Sequence, residues 1–253
     1  MAPNTRTSPF RWTHASALPI RLNKFLAQAG VASRRAADAL VEEGRVTVNG
    51  SAAHLGAMVD PAHDDVRVSG KRVVQPEAPH LTIVLHKPAG VFTTMSDERG
   101  RRSIADLLPK GRRLFPVGRL DAESTGVLLC TSDGVLAQTL LHPSHEVEKR
   151  YKVTVASEPK PANLKRLGAT APRRNANGTH TFFVTLREGK NRQVRRMCAN
   201  EGLRVVALAR ISFGPVALGV VKPGKWRPLT AAERAALEKL SMQGAQSRRA
   251  GGP

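Results

Sequence analysis

The chain has 253 residues, 41% of them hydrophobic, with 40 Lys and Arg against 20 Asp and Glu, a formal charge of +20. That apolar share excludes a wholly disordered chain, and no apolar run reaches the roughly 20 residues that cross a bilayer. The cation excess favours a polyanion as partner, because each phosphate neutralised by Lys or Arg releases condensed counterions, while aromatics at 4% are too sparse for stacking platforms.

Residues 1–18 carry Arg6 and Arg11, several Ser and Thr, and no acid. Pro3 and Pro9 spoil the amphipathic helix a transit peptide would need, so a disordered basic tail is expected. Organised chain begins near Ile20. Leu22, Phe25, Leu26 and Ala29 recur at helical spacing, and Gly30 closes that helix. Ser33 is a natural N-cap for a second helix with Ala36, Ala37, Leu40 and Val41 inward, ended by Gly44. Val46–Val48 alternates as a strand before the Asn49-Gly50 turn signal, and Val66–Val68 gives another before Gly70. The expected first domain is therefore 19–74, two helices followed by small strands. Arg21 and Lys24 on the first helix, and Arg34 and Arg35 at the N-terminus of the second, are placed to meet phosphate. A solvated basic face is the plainer alternative.

Pro76 and Pro79 interrupt the apolar periodicity, which marks residues 75–80 as a linker. A second domain, 81–242, opens with the buried-strand run Ile83-Val84-Leu85 and the turn Lys87-Pro88-Ala89-Gly90. Val127 to Cys130 reads as a continuous apolar strand ended by an Asp133-Gly134 turn, with further strands at 151–155 and 182–186. A helix over 191–200 puts Val194, Met197 and Cys198 on its apolar face and Arg192, Arg195 and Arg196 away from it. Thr230 to Glu233 is a capping box for a helix carrying Leu237 and Leu240, and 243–253 reads as a disordered tail. Strands dominate without regular βαβ alternation, so the fold class is α+β with a mixed, mainly antiparallel sheet.

Cys130 and Cys198 stand apart among apolar residues, which is neither a disulfide framework nor a zinc motif and suits a reducing cytoplasm. His142 and His145 lack a third ligand at fitting spacing, so no metal is expected. Asp121 follows Arg119-Leu120 in a turn between strands, where catalytic groups tend to sit, although alone it reads equally as an Asx-turn or a surface ion pair.

Longer patterns add to these readings. RLNKFLAQAGVASRRAADALVEEGRVTVNG resembles the S4 RNA-binding module. GRLDAESTGVLLCTSDG resembles the catalytic motif of the pseudouridine synthases, in the RsuA/RluB branch. REGKNRQVRRMCANEGLRVVALARISFG is similar to that branch's second signature, and HPSHEVEKRYKVTV brings the family's active-site tyrosine to Tyr151. Between Val155 and Thr181 the chain departs from the family, being short and without its second acidic-glycine turn. The resemblance implies isomerisation of a uridine in ribosomal RNA, with Asp121 as nucleophile, Arg195 as its basic partner, Arg119 and Leu208 in the substrate pocket, and Lys190, Arg192 and Arg196 on RNA. It also implies no cofactor, since no electrons or groups pass to a third molecule. The partner would be ribosomal RNA or a pre-ribosomal particle, met by a monomer without a membrane anchor. DERGRRSIADLLP ahead of RLFPVGRLD resembles the large-subunit (23S) type. The rivals are a non-catalytic S4-type assembly factor, which would have no need of the Asp121, Tyr151 and Arg195 set, and a nucleosidase, which would need a water-activating group.

Overall fold

The computed structural model describes residues 19–75 and 80–250, and the chain divides into two compact units, 1–78 and 79–253. The expected tail at 1–18 and most of the expected linker, 76–79, lie outside the described residues.

In the first unit the strand β1 (Ile20–Arg21) runs into helix α1 (Leu22–Gln28), followed by α2 (Arg34–Glu42). Strands β2 (Val46–Val48), β3 (Ser51–Ala52), β4 (Met58–Val59), β5 (Val66–Val68) and β6 (Lys71–Arg72) complete it. Leu22, Phe25 and Leu26 from α1 meet Ala37 and Val41 from α2 over Val46, Val59 and Val66. Gly30, at φ 81°, turns the chain out of α1, and the Ser33 hydroxyl accepts the Ala36 amide at 3.1 Å to start α2. Asn49 and Gly50, at φ 51° and 84°, form the doubly left-handed turn that a two-residue hairpin requires. Two details differ from the sequence reading. Ala36 is exposed, because the 100° step per residue carries it past the edge of the buried stripe. The short pair β1–β4 has no periodic signature, since two residues cannot show alternation.

The second unit begins with β7 (Thr82–Lys87), a 3-10 helix (Ile104–Leu107), β8 (Phe115–Pro116), β9 (Thr125–Thr131) and α3 (Gly134–Leu141), with a second 3-10 helix after it (Pro143–His145). There follow β10 (Lys149–Val155), α4 (Pro161–Leu167), β11 (Arg173–Arg174), β12 (His180–Leu186) and α5 (Gln193–Asn200). Strands β13 (Val205–Phe213), β14 (Val216–Ala217) and β15 (Trp226–Pro228) lead to α6 (Ala231–Ala250). The strands form one sheet in the order β11-β12-β10-β13-β9-β7-β15, with β14 on β13 and β8 on β9. Every pairing is antiparallel except β9 with β13, as the mixed-sheet expectation had it.

Both faces of the central strands are covered, which explains their unbroken apolar runs. Ile83, Leu85, Leu128 and Cys130 face one core with Leu164 and Leu167 of α4 and Val194 and Cys198 of α5. Val84, Val127 and Leu129 face the other with Ala137 and Leu140 of α3 and Leu237 of α6. Each buried Val, Leu or Ile among them contributes roughly 1.5–3 kcal/mol by leaving water. Asp133-Gly134 is not the turn its dipeptide suggests. Asp133 caps α3, its carboxylate accepting the amides of Val135 and Leu136 at 2.8 and 3.0 Å. The tail expected from 243 is also corrected: α6 continues to Ala250, since Gln243 to Ala250 holds mostly good helix formers and no proline. No helix among the described residues is long and apolar enough to cross a membrane.

Candidate active site

Asp121 lies in the loop between β8 and β9, and that loop is clamped from below. The Lys87 ammonium, at the end of β7, donates to the carbonyls of Pro88, Ala122 and Ser124 at 3.0, 3.2 and 2.8 Å. Gly90 adds its amide to the Ala122 carbonyl at 2.8 Å. The Thr93 hydroxyl donates to the Leu120 carbonyl at 2.6 Å and accepts the Leu120 amide at 3.2 Å. The Ser124 amide closes the turn on the Asp121 carbonyl at 3.0 Å. Lys87 is fully buried, and burial brings its pKa down to about 8 against the opposing pull of the Asp121 charge. An aspartate held at the tip of such a loop has a fixed backbone and a carboxylate turned to the cavity, the form a nucleophile needs.

A cavity of about 540 Å³ opens beside that carboxylate. Arg119, Asp121, Tyr151, Leu208 and Arg210 all line it. Tyr151 and Leu208 are contributed by neighbouring strands, where β10 and β13 pair Tyr151 with Arg210 and Val153 with Leu208. The close parallel crossing of β9 and β13 depends on Gly126, at φ 106°, where a Cβ would lie 2.1 Å from the Arg210 carbonyl. A second groove, of about 630 Å³, shares Arg119, Asp121 and Arg192 with the first, and there the Arg101 guanidinium stacks 4.0 Å over the Phe92 ring.

The cation nearest Asp121 is Arg192, whose Nη1 stands 3.6 Å from Oδ2. Arg192, left-handed at φ 49°, precedes α5 and is drawn towards Asp121 and, by Nη2 at 3.6 Å, towards Glu123. Arg195, expected at Asp121, is instead 3.6 Å from Glu123, with a side chain only 14% exposed and a buried Nε that has no partner. It does not point away from the apolar face of α5, because the helix packs close enough to the sheet to cover the flank of its stripe. Arg196 and Lys190 are exposed, and Lys190 is paired with Glu188 at 2.9 Å. In the first unit Arg21, Arg34 and Arg35 are exposed and Lys24 is partly covered. Asn23 donates to both Asp38 oxygens at 2.9 and 3.0 Å and accepts Arg34 Nε at 3.3 Å, which orients that guanidinium. Sequence reasoning missed Lys87, Glu123, Lys149 and Arg210. A lone arginine within the apolar strand VVALARISF, two residues from Leu208 and so on its face, was the available signal for Arg210. The His142 and His145 rings sit edge to face at 5.9 Å, and among the described residues no group of three or more His, Cys, Asp or Glu is placed to hold a metal.

Residues 81–200 match the RNA pseudouridylate synthase family, and residues 20–66 match the S4 domain. An uncharacterized RNA pseudouridine synthase of Mycobacterium tuberculosis is 43% identical over 233 residues, 85% of this chain and 91% of the relative. The ribosomal large subunit pseudouridine synthase B of Vibrio cholerae is 40% identical, over 83% of this chain and 71% of its own length. The dual-specificity RNA pseudouridine synthase RluF of Shigella flexneri is 36% identical, over 87% and 79%. A crystal structure of a pseudouridylate synthase superposes with a TM-score of 0.59 at 27% identity, covering 86% of this chain and 99% of that one. A mixed sheet with an aspartate loop at its cavity, preceded by an S4 domain, is thus the architecture of an RNA-modifying isomerase, and this chain belongs to the RNA pseudouridylate synthase family.

Proposed function

We propose that this protein converts one uridine of large-subunit ribosomal RNA to pseudouridine, with Asp121 as the nucleophile. The observation that carries the proposal is the clamped loop, which presents the Asp121 carboxylate to a cavity lined by Tyr151 and Leu208. The reaction breaks the C1′–N1 bond, turns the base, and rejoins C1′ to C5; the C5 proton is lost and N1 takes one up, so the product is an isomer of the substrate. The carboxylate attacks an electron-poor carbon of the nucleotide, and the base stays in the cavity while it turns. Arg192 holds the carboxylate ready. Tyr151 packs on the uracil, which has left its stack to enter the cavity, and Leu208 bounds it from the adjoining strand. No external oxidant, reductant or group donor enters this balance.

Arg21, Lys24, Arg34 and Arg35 of the first unit, with Lys190 and Arg196 of the second, take phosphates of the folded RNA, while Arg119 lines the uridine's cavity. As part of the same proposal, a single copy of the chain acts in the cytoplasm, on ribosomal RNA or a pre-ribosomal particle. The large-subunit assignment is supported by the DERGRRSIADLLP segment and by the large-subunit name of the Vibrio cholerae relative. Incubating the protein with each unmodified ribosomal RNA, then mapping pseudouridine, tests it. A single site in the large-subunit RNA is expected, and modification confined to the small-subunit RNA would contradict it.

A further inference from the structure

Arg210 is 3% exposed, although it carries a permanent charge. Its Nε donates to the Val127 carbonyl at 2.8 Å, while Nη2 is buried without a hydrogen-bond partner. Lys149 joins it at the same cavity. The Arg210 guanidinium and the Lys149 ammonium stand 5.2 and 5.6 Å from the centre of one ring, that of Phe213. Among the described residues Lys149 donates to the Arg187 carbonyl alone, at 3.1 Å, and burial together with the Arg210 charge lowers its pKa. Neither cation has a carboxylate partner among the described residues. The acids that line the cavity, Asp121 and Glu188, are taken by Arg192 and by Lys190, and Arg187 is held by Glu148 and Glu146.

A buried cation with an unused N–H, beside a second cation and no anion, is unfavourable unless a ligand completes it. A neutral carbonyl would satisfy the N–H but not the charge. In an RNA substrate the groups that supply both are the phosphates. We propose that Arg210 and Lys149 form a phosphate subsite within the cavity, gripping the phosphodiester next to the target uridine. The register places it, because Arg210 lies directly across from Tyr151 on the paired strand. A cavity of about 540 Å³ is within the range that small-molecule sites occupy, roughly 300–1,000 Å³. This subsite rests on the reading of the cavity as the uridine site. It adds to that reading a fixed point on the backbone, about which the sugar is held while the base turns.

The test is a titration of the full chain, followed by NMR, with uridine, uridine 3′-monophosphate and uridine 5′-monophosphate. One monophosphate should bind at least about tenfold more tightly than uridine, the size expected of a hydrogen bond to a charged group. Lys149→Met and Arg210→Met should erase that preference while leaving uridine binding, and Arg210→Lys should keep part of it. Lys225→Met removes a charge from the exposed surface and should leave the preference intact. Thermal melting checks that Arg210→Met folds, and Lys149→Met, on a partly buried residue, carries the test if it does not. Equal binding of all three probes, no detectable binding of any, or a preference that survives Lys149→Met overturns the subsite. Turnover by Asp121→Asn would sink the nucleophile assignment without touching this preference, so the two failures are distinguishable.

Discussion

Lys87 ties the end of a core strand to the loop that carries Asp121. Three carbonyls converge on its ammonium, two of them from the loop that carries Asp121. Lys87→Met removes a buried charge but leaves those carbonyls short of a donor, at a cost of about 1–3 kcal/mol each where water cannot reach them. A lower melting temperature is expected, with a larger proportional loss of turnover than of RNA affinity. Full turnover in a destabilised variant would show that the loop needs no clamp. The arginines of α5 offer a second test. Arg192 is the cation 3.6 Å from Asp121, whereas Arg195 is the one the family resemblance names. Arg192→Met should lower single-turnover rate by about tenfold or more with little change in melting, since its charge stands at the proposed nucleophile while its side chain is 44% exposed. Arg195→Met should chiefly lower stability, because its side chain is largely buried. A full rate in Arg192→Met with a lost one in Arg195→Met would show that the pairs exchange when RNA enters.

Among the elements, α6 is fastened to the sheet by Arg227 of β15, whose guanidinium donates to both Glu233 oxygens at 2.6 Å. Glu233 also completes the capping box with Thr230, and these contacts, the Arg227 bond foremost, hold its carboxyl near 2 against an ordinary 4.5. A depressed carboxylate contributes stability that is present above its ordinary pKa and is lost as pH falls through the folded value. Between about pH 4.5 and 2 the chain should therefore lose on the order of 3 kcal/mol from this pair. Glu233→Gln should melt lower at neutral pH and show a flatter decline over that interval, and an unchanged acid limb would contradict the assignment. That cap was legible in the sequence, as were α1, α2 and the Asn49-Gly50 hairpin, because each has a local cause in neighbouring residues. Asp133-Gly134 was misread because an aspartate before glycine serves a turn and an N-cap equally well, and which one forms depends on the chain that follows. The extent of α6 was missed because a charged, polar end was taken for a tail although its helix propensity is good.

At the scale of the molecule, the sequence located the site better than it described it. Asp121, Tyr151 and Leu208 come together at one cavity as the motifs imply, yet they lie on three elements, and no local pattern encodes their spacing. The same long-range pairing buries Arg210 and Lys87, which appear in the sequence as an isolated arginine in a strand and a lysine before proline. Two units follow from two hydrophobic patterns, the first with its own core of eight buried residues, Leu22 through Val66. Most of the basic excess lies in the second unit, with 30 Lys and Arg against 13 Asp and Glu in residues 79–253, compared with 10 against 7 in residues 1–78. The most direct measurement is pseudouridine formation in ribosomal RNA by Asp121→Asn beside the unaltered chain. The Asn variant is expected to bind RNA and melt almost as before but to form no pseudouridine, since an amide of the same shape is a poor nucleophile. Appreciable turnover by a pure Asn variant would contradict it and remove Asp121 from the chemistry.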